Sequence, residues 1–258
     1  MIKLSHPLSI LVAAASLLGT VHAQPAATDP LFTAAPESLQ PQQVRSLQQR
    51  LSDWPQLAYY REQNATLPAP RKGEARVVFY GDSITEGWGP TGSERFFPGK
   101  GYLNRGISGQ TTAQMLLRFR QDVIALHPAV VVILAGTNDI AGNTGPASQV
   151  MIEDNLHSMV ELAQAHGIKV VLSSVLPVSA YPWRPGLQPA ASVRALNAAL
   201  KRYAEQQRLV YLDYHAALGN ADGGLDTALA EDGVHPTPAG YAKMAPLAEA
   251  AVAAALAH

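Results

Sequence analysis

Beyond residue 73 the chain alternates short, continuously apolar runs rich in β-branched residues with longer stretches whose apolar positions recur at helical spacing. Few architectures accept this alternation. It predicts βα units wound around a parallel sheet that is covered on both faces. The expected strands lie at residues 76–80, 102–104, 130–135, 169–175 and 209–213, the second of them short. The expected helices lie at 112–126, 148–166, 190–207 and 238–256. Pro246 should break or kink the last, because it lacks an N–H and its ring crowds the preceding turn. In open parallel sheets, loops and helix N-termini converge beyond the carboxyl ends of the strands, and ligands bind there.

Ser83 stands in Gly81-Asp82-Ser83-Ile84-Thr85, directly behind the run Val77-Val78-Phe79-Tyr80. A serine at a strand-to-helix turn exposes its hydroxyl beside unpaired backbone N–H groups, which suits a nucleophile. Taken alone, Ser83-Ile84-Thr85-Glu86 fits a capping box equally well, with the serine doing no more than closing a helix start. The segment is not the nucleophile elbow of α/β-hydrolases, since Thr85 stands where a glycine is required. Asp232-Gly233-Val234-His235 supplies a base and its orienter. In a tight turn that spacing lets the carboxylate accept the imidazole Nδ1–H and leaves Nε2 facing a serine. Alone, the same residues would read as a turn before a helix. Of the other histidines, His157 and His166 fall in an expected helix, His127 at a helix end, and His215 beside Asp213 only. Asn104-Arg105-Gly106 and Gly136-Thr137-Asn138-Asp139 follow two further strands. Gly106 offers a bare backbone N–H and Asn138 an amide donor, although each alone is a turn glycine or a helix cap.

In this order the four blocks resemble the SGNH hydrolases, also called GDSL-type esterases, and the resemblance runs from residue 77 to about 250. It implies a three-layer α/β/α sandwich, flavodoxin-like, around a five-stranded parallel sheet of order 2-1-3-4-5. It also implies Ser83, Asp232 and His235 as catalytic residues, and an oxyanion hole of Ser83 N–H, Gly106 N–H and Asn138 Nδ2. Asp82 and Asp139 match motif letters and are read as holding turns through Asx-type bonds.

The function this implies is a serine esterase that works through an acyl-enzyme on short acyl esters, O-acetyl groups on carbohydrates among them. A lysophospholipase- or thioesterase-type acylhydrolase is the alternative within the family. A catalytically silent binding module is a third reading, and the filled set of Ser, Gly, Asn, Asp and His speaks against it. Trp88, Tyr181 and Trp183 are candidates to line the substrate site, the last two in the proline-stiffened segment 177–186 that follows an expected strand. Their plainer role would be packing the loop. No cofactor or metal is expected: H-E-x-x-H and P-loop patterns are lacking, and with 0 cysteines there is no disulfide, thiolate metal site or thiol nucleophile. A formal net charge of -1 gives no electrostatic footprint for nucleic acid or anionic membranes. The partner expected is therefore a small-molecule or glycan ester, and no feature sets an oligomeric state.

The N-terminus carries Lys3, an apolar stretch at residues 8–21, and Val21-His22-Ala23 before Gln24. This reads as a signal peptide over 1–23, cleaved after Ala23, with export to the periplasm or medium. The stretch is too short for stable membrane insertion, which takes roughly 20 apolar residues. Residues 24–73 form a leader and a helical arm, and 74–258 the catalytic domain. In the arm, Val44, Leu47, Leu51, Trp54 and Leu57 recur at helical spacing over 41–64, predicting an amphipathic helix perturbed near Pro55.

Overall fold

The computed structural model describes residues 34–257; the expected signal peptide and its cleavage point lie outside the described residues. In chain order the main elements are α1 (Pro41–Ser52), α2 (Arg61–Thr66), β1 (Val77–Gly81), α3 (Ser83–Glu86), β2 (Leu103–Gly106), α4 (Thr112–Asp122), β3 (Val130–Leu134) and α5 (Thr137–Ile140). They continue with α6 (Gln149–Ala165), β4 (Lys169–Ser173), α7 (Ala190–Gln207), β5 (Val210–Leu212), α8 (Tyr214–Leu218) and α9 (Pro238–Ala257). Each apolar run becomes a strand, shifted by a residue or two from the sequence expectation. The five strands are hydrogen-bonded in the order β2-β1-β3-β4-β5, and every neighbouring pair is parallel.

The sheet is buried on both sides because alternate residues of each strand feed different cores. Val78, Tyr80, Val131, Ile133, Val170 and Leu172 pack beneath α4, α6 and α7. Val77, Phe79, Val130, Val132, Val171 and Leu212 pack against α8 and α9. Each such side chain, fully withdrawn from water, contributes about 1.5–3 kcal/mol, which fixes the three-layer α/β/α arrangement. Of the break or kink expected at Pro246, the break does not occur: α9 continues through it. Met244 and Ala248 on either side of it are buried against the sheet, and that packing carries the helix through the missing bond. Among the described residues, no helix is long and apolar enough to cross a membrane.

The arm departs further from expectation. α1 stops at Ser52; Asp53 then turns the chain, its carboxylate accepting the N–H groups of Leu57 and Ala58 at 2.8 Å each. No residue of α1 is buried, and Leu51 is 79% exposed. The helical period is present, but its apolar stripe covers no core.

Candidate active site

Because β1 lies between β2 and β3 and is parallel to both, its carboxyl end delivers Asp82 and Ser83 to the same edge as the ends of β2 and β3. Asp82 caps α3: its Oδ1 accepts the Ile84 N–H at 3.0 Å. That is the role the sequence offered to Ser83, and the capping box is not formed. The Glu86 carboxylate turns instead to the next loop, accepting from Ser108 N–H at 2.9 Å, from Ser108 Oγ and from the Tyr59 hydroxyl. The Ser83 hydroxyl is left to His235, with Oγ to Nε2 at 2.9 Å.

The turn before α9 builds the other half. Gly233 takes φ +76°, and with it Asp232 Oδ1 accepts the N–H groups of Val234 and His235 at 2.9 and 2.8 Å. Its Oδ2 lies 2.6 Å from His235 Nδ1. Partial burial works against the Asp232 charge, but the bonds from the His235 ring, the His235 N–H and the Val234 N–H outweigh it and hold the carboxyl below its ordinary value. Ser83, His235 and Asp232 thus form one hydrogen-bonded chain, assembled from residues 149 and 152 positions apart along the sequence. A serine hydroxyl on a neutral imidazole whose far nitrogen is fixed by a carboxylate can be deprotonated as it attacks a carbonyl.

The two remaining expected donors differ from each other. Asn138, in α5 directly after β3, is buried, and its Nδ2 donates to Gln110 O at 3.0 Å and, over a long 3.4 Å, to Asp82 Oδ2. Gly106 is not available as expected: its N–H donates to Asn104 Oδ1 at 2.9 Å. An added Cβ there would stand 2.2 Å from Glu86 N, so this glycine lets β2 press against α3. Gly109, three residues on in the same loop, is a further candidate donor that the sequence reading did not single out. It is exposed at φ +79°, and its N–H has no partner among the described residues. It lines an 870 Å³ groove together with Asn143 and Trp183. The available signal was a second glycine in the same block, just before the capping box that Thr111 makes with Gln114 to start α4.

Two buried carboxyls underlie this edge. Burial raises Asp82 to about 7, against the lowering effect of the Ile84 N–H and of His235. Burial likewise raises Asp139 to about 6, against the bonds it accepts from Thr112. Asp139 does not hold its own turn: it accepts Thr112 N–H at 2.9 Å and Thr112 Oγ1 at 2.6 Å, which pins the start of α4.

Of the expected substrate-lining aromatics, Trp88 is a core residue, 3% exposed and packed among Phe79, Phe97 and Tyr241. Tyr181 is buried too, with its hydroxyl unpartnered. Trp183 alone reaches the site: its Nε1–H donates to Asn143 Oδ1 at 3.1 Å and its ring centre is 6.0 Å from that of His235.

The chain matches the profile of the GDSL-like Lipase/Acylhydrolase family over residues 79–243. Its fold aligns with a candidate acylhydrolase from Bacteroides fragilis NCTC 9343 at a TM-score of 0.74 and 48% identity, covering 78% of this chain and 97% of that one. It is 27% identical over 222 residues to the acetylxylan esterase of Xylanibacter ruminicola, covering 72% of this chain and 45% of the relative. It is 28% identical over 177 residues to the esterase TesA of Pseudomonas aeruginosa, covering 67% of this chain and 81% of the relative. The chain spans less than half the length of two of the curated relatives it matches, 32% and 45%.

Proposed function

The chain belongs to the GDSL-like lipase/acylhydrolase family, and from that premise we propose that it is a carboxylic ester hydrolase, an exported enzyme cleaving short acyl esters, O-acetyl groups on carbohydrates among them, through an acyl-enzyme on Ser83. The observation that carries the mechanism is the hydrogen-bonded chain from Ser83 Oγ through His235 to Asp232, at 2.9 and 2.6 Å. Ser83 Oγ attacks the ester carbonyl while His235 Nε2 takes its proton. The tetrahedral oxyanion is stabilised by the N–H groups of Ser83 and Gly109 and by Asn138 Nδ2, whose long contact to Asp82 is the bond it gives up. His235 then protonates the departing alkoxide, leaving an ester on Ser83. Water, deprotonated by His235, cleaves that ester and frees the acid.

Asp232 holds His235 in the tautomer with the proton on Nδ1 and stabilises the imidazolium that forms. Export is supported by the leader pattern of residues 1–23 alone. Carbohydrate as the alcohol portion is supported by the acetylxylan esterase likeness and by Trp183 beside His235. Turnover of p-nitrophenyl acetate, butyrate and palmitate by the purified protein, with Ser83→Ala as control, tests the reading. Acetate and butyrate should be cleaved faster than palmitate, and Ser83→Ala should be inactive on all three. A preference for palmitate would make the protein a lysophospholipase- or thioesterase-type enzyme, and activity surviving in Ser83→Ala would remove the serine mechanism.

A further inference from the structure

The arm before the catalytic domain lies across the catalytic edge. α1 buries none of its residues, and a helix of that length is marginal in water on its own, so core packing does not explain its position. The segment after it is tied down by side-chain amides of the domain. Gln110 Nε2 donates to Pro55 O at 3.0 Å and to Gln56 Oε1 at 2.9 Å, Gln114 Nε2 donates to Trp54 O at 2.6 Å, and Gln121 Nε2 donates to Leu57 O at 2.8 Å. Gln110 is itself held by Arg118, and its own carbonyl receives Asn138 Nδ2. The arm is therefore fixed to the residues that hold the reacting edge together.

What this fixation builds is the 870 Å³ groove. Leu47, Leu51 and Trp54 form one wall; Ser108, Asn143 and Trp183 belong to the other. Resting on the function proposed above, we infer that the arm is the far wall of a subsite for the alcohol portion of the substrate, and that this portion is an oligosaccharide with sugar rings seated on Trp54 and Trp183. Trp183 lies beside His235, the group that must protonate the departing alcohol, so the groove leading away from Trp183 receives the leaving group. Sugar rings have C–H faces that lie on indoles and hydroxyl rims that need hydrogen-bonding partners, and this groove supplies both. A long acyl chain in the same place would cover the Arg184 guanidinium, which keeps donors beyond its bonds to Ala141 O and Trp183 O, without pairing with it, which is unfavourable.

The test uses full-length protein and a panel of O-acetylated xylo-, manno- and gluco-oligosaccharides, with p-nitrophenyl acetate and palmitate beside them. In Trp54→Ala, the ratio of kcat/KM on the preferred oligosaccharide to that on p-nitrophenyl acetate should fall about tenfold, equivalent to about 1.4 kcal/mol, mostly through KM. Trp54→Leu, which keeps apolar bulk without the flat face, should fall equally, and Trp54→Tyr should recover most of the loss. Trp54 is partly exposed, and melting temperatures check that each variant folds. An unchanged ratio, or full recovery by Trp54→Leu, overturns the inference. A selective loss on palmitate overturns it as well and assigns the groove to acyl chains. If p-nitrophenyl acetate turnover survives Ser83→Ala, the serine mechanism has failed, a result separate from the Trp54 ratio.

Discussion

Asp82, and not Ser83, caps α3 by accepting the Ile84 N–H on its Oδ1, and the Ser83 hydroxyl is left to His235. In the proposed mechanism Ser83 and His235 act on one proton, so their losses should not add. Ser83→Ala and His235→Ala should each lower kcat by on the order of 10⁴-fold or more, with the double variant no slower than the worse single. Asp232→Asn, which favours the wrong tautomer, should cost up to about 10⁴-fold. Steady-state kinetics on p-nitrophenyl acetate decide this, and additive losses would break the proposed unit. The two glycines allow a second prediction. Gly106→Ala drives a methyl to 2.2 Å from Glu86 N, whereas Gly109→Ala meets nothing within 4 Å and carries only left-handed strain of about 1–2 kcal/mol. Gly106→Ala should therefore show the larger fall in melting temperature. Gly109→Ala should lose turnover out of proportion to its stability, because its N–H is re-aimed. A Gly106→Ala protein that melts like wild type yet does not turn over would return the oxyanion role to Gly106. Sequence could not separate these glycines, since the difference lies in whether Asn104 Oδ1 occupies the N–H.

The loop between β2 and α4 carries Gly109, and its placement relative to Ser83 comes from three neighbouring elements. Glu86 of α3 holds Ser108, Asp139 of α5 holds Thr112, and Arg118 of α4 holds the Gln110 side chain at 2.5 Å. The expected strands were legible because continuous β-branched runs have few other uses in a domain of this composition. The anchors were not, because Ser83-x-x-Glu86 matches a capping pattern whatever the glutamate finally touches. The same limit applies to α1, whose helical period is visible while the absence of anything to cover is not, and to Trp88, an indole next to the nucleophile in sequence but inside the core. Glu86→Gln removes the charged acceptor from Ser108 and Tyr59. It should lower kcat more than it raises KM, with a stability loss of about 1 kcal/mol or less, since a neutral amide retains one acceptor. A wild-type kcat would mean that Asp139 and Arg118 suffice to place the loop.

Convergence of all the strand ends on one edge explains why residues spread from Asp82 to His235 meet there, and it concentrates buried acid under the catalytic surface as well. Asp82, raised to about 7, and Asp139, raised to about 6, both hold protons in the folded chain at pH values where the unfolded chain has released them. The sign follows from linkage. A carboxyl with a raised folded pKa contributes stability that is fully present below about pH 4 and is lost as pH rises through about 6 to 7. Thermal melts of Ser83→Ala at pH 5, 6, 7 and 8 should show a falling melting temperature. Asp82→Asn in the same background should flatten the fall, because Asn keeps the oxygen that accepts the Ile84 N–H and carries no charge to bury. Parallel pH profiles for the two proteins would show that Asp82 is ionised throughout, stabilised by Ile84 N–H and His235 more than burial opposes it.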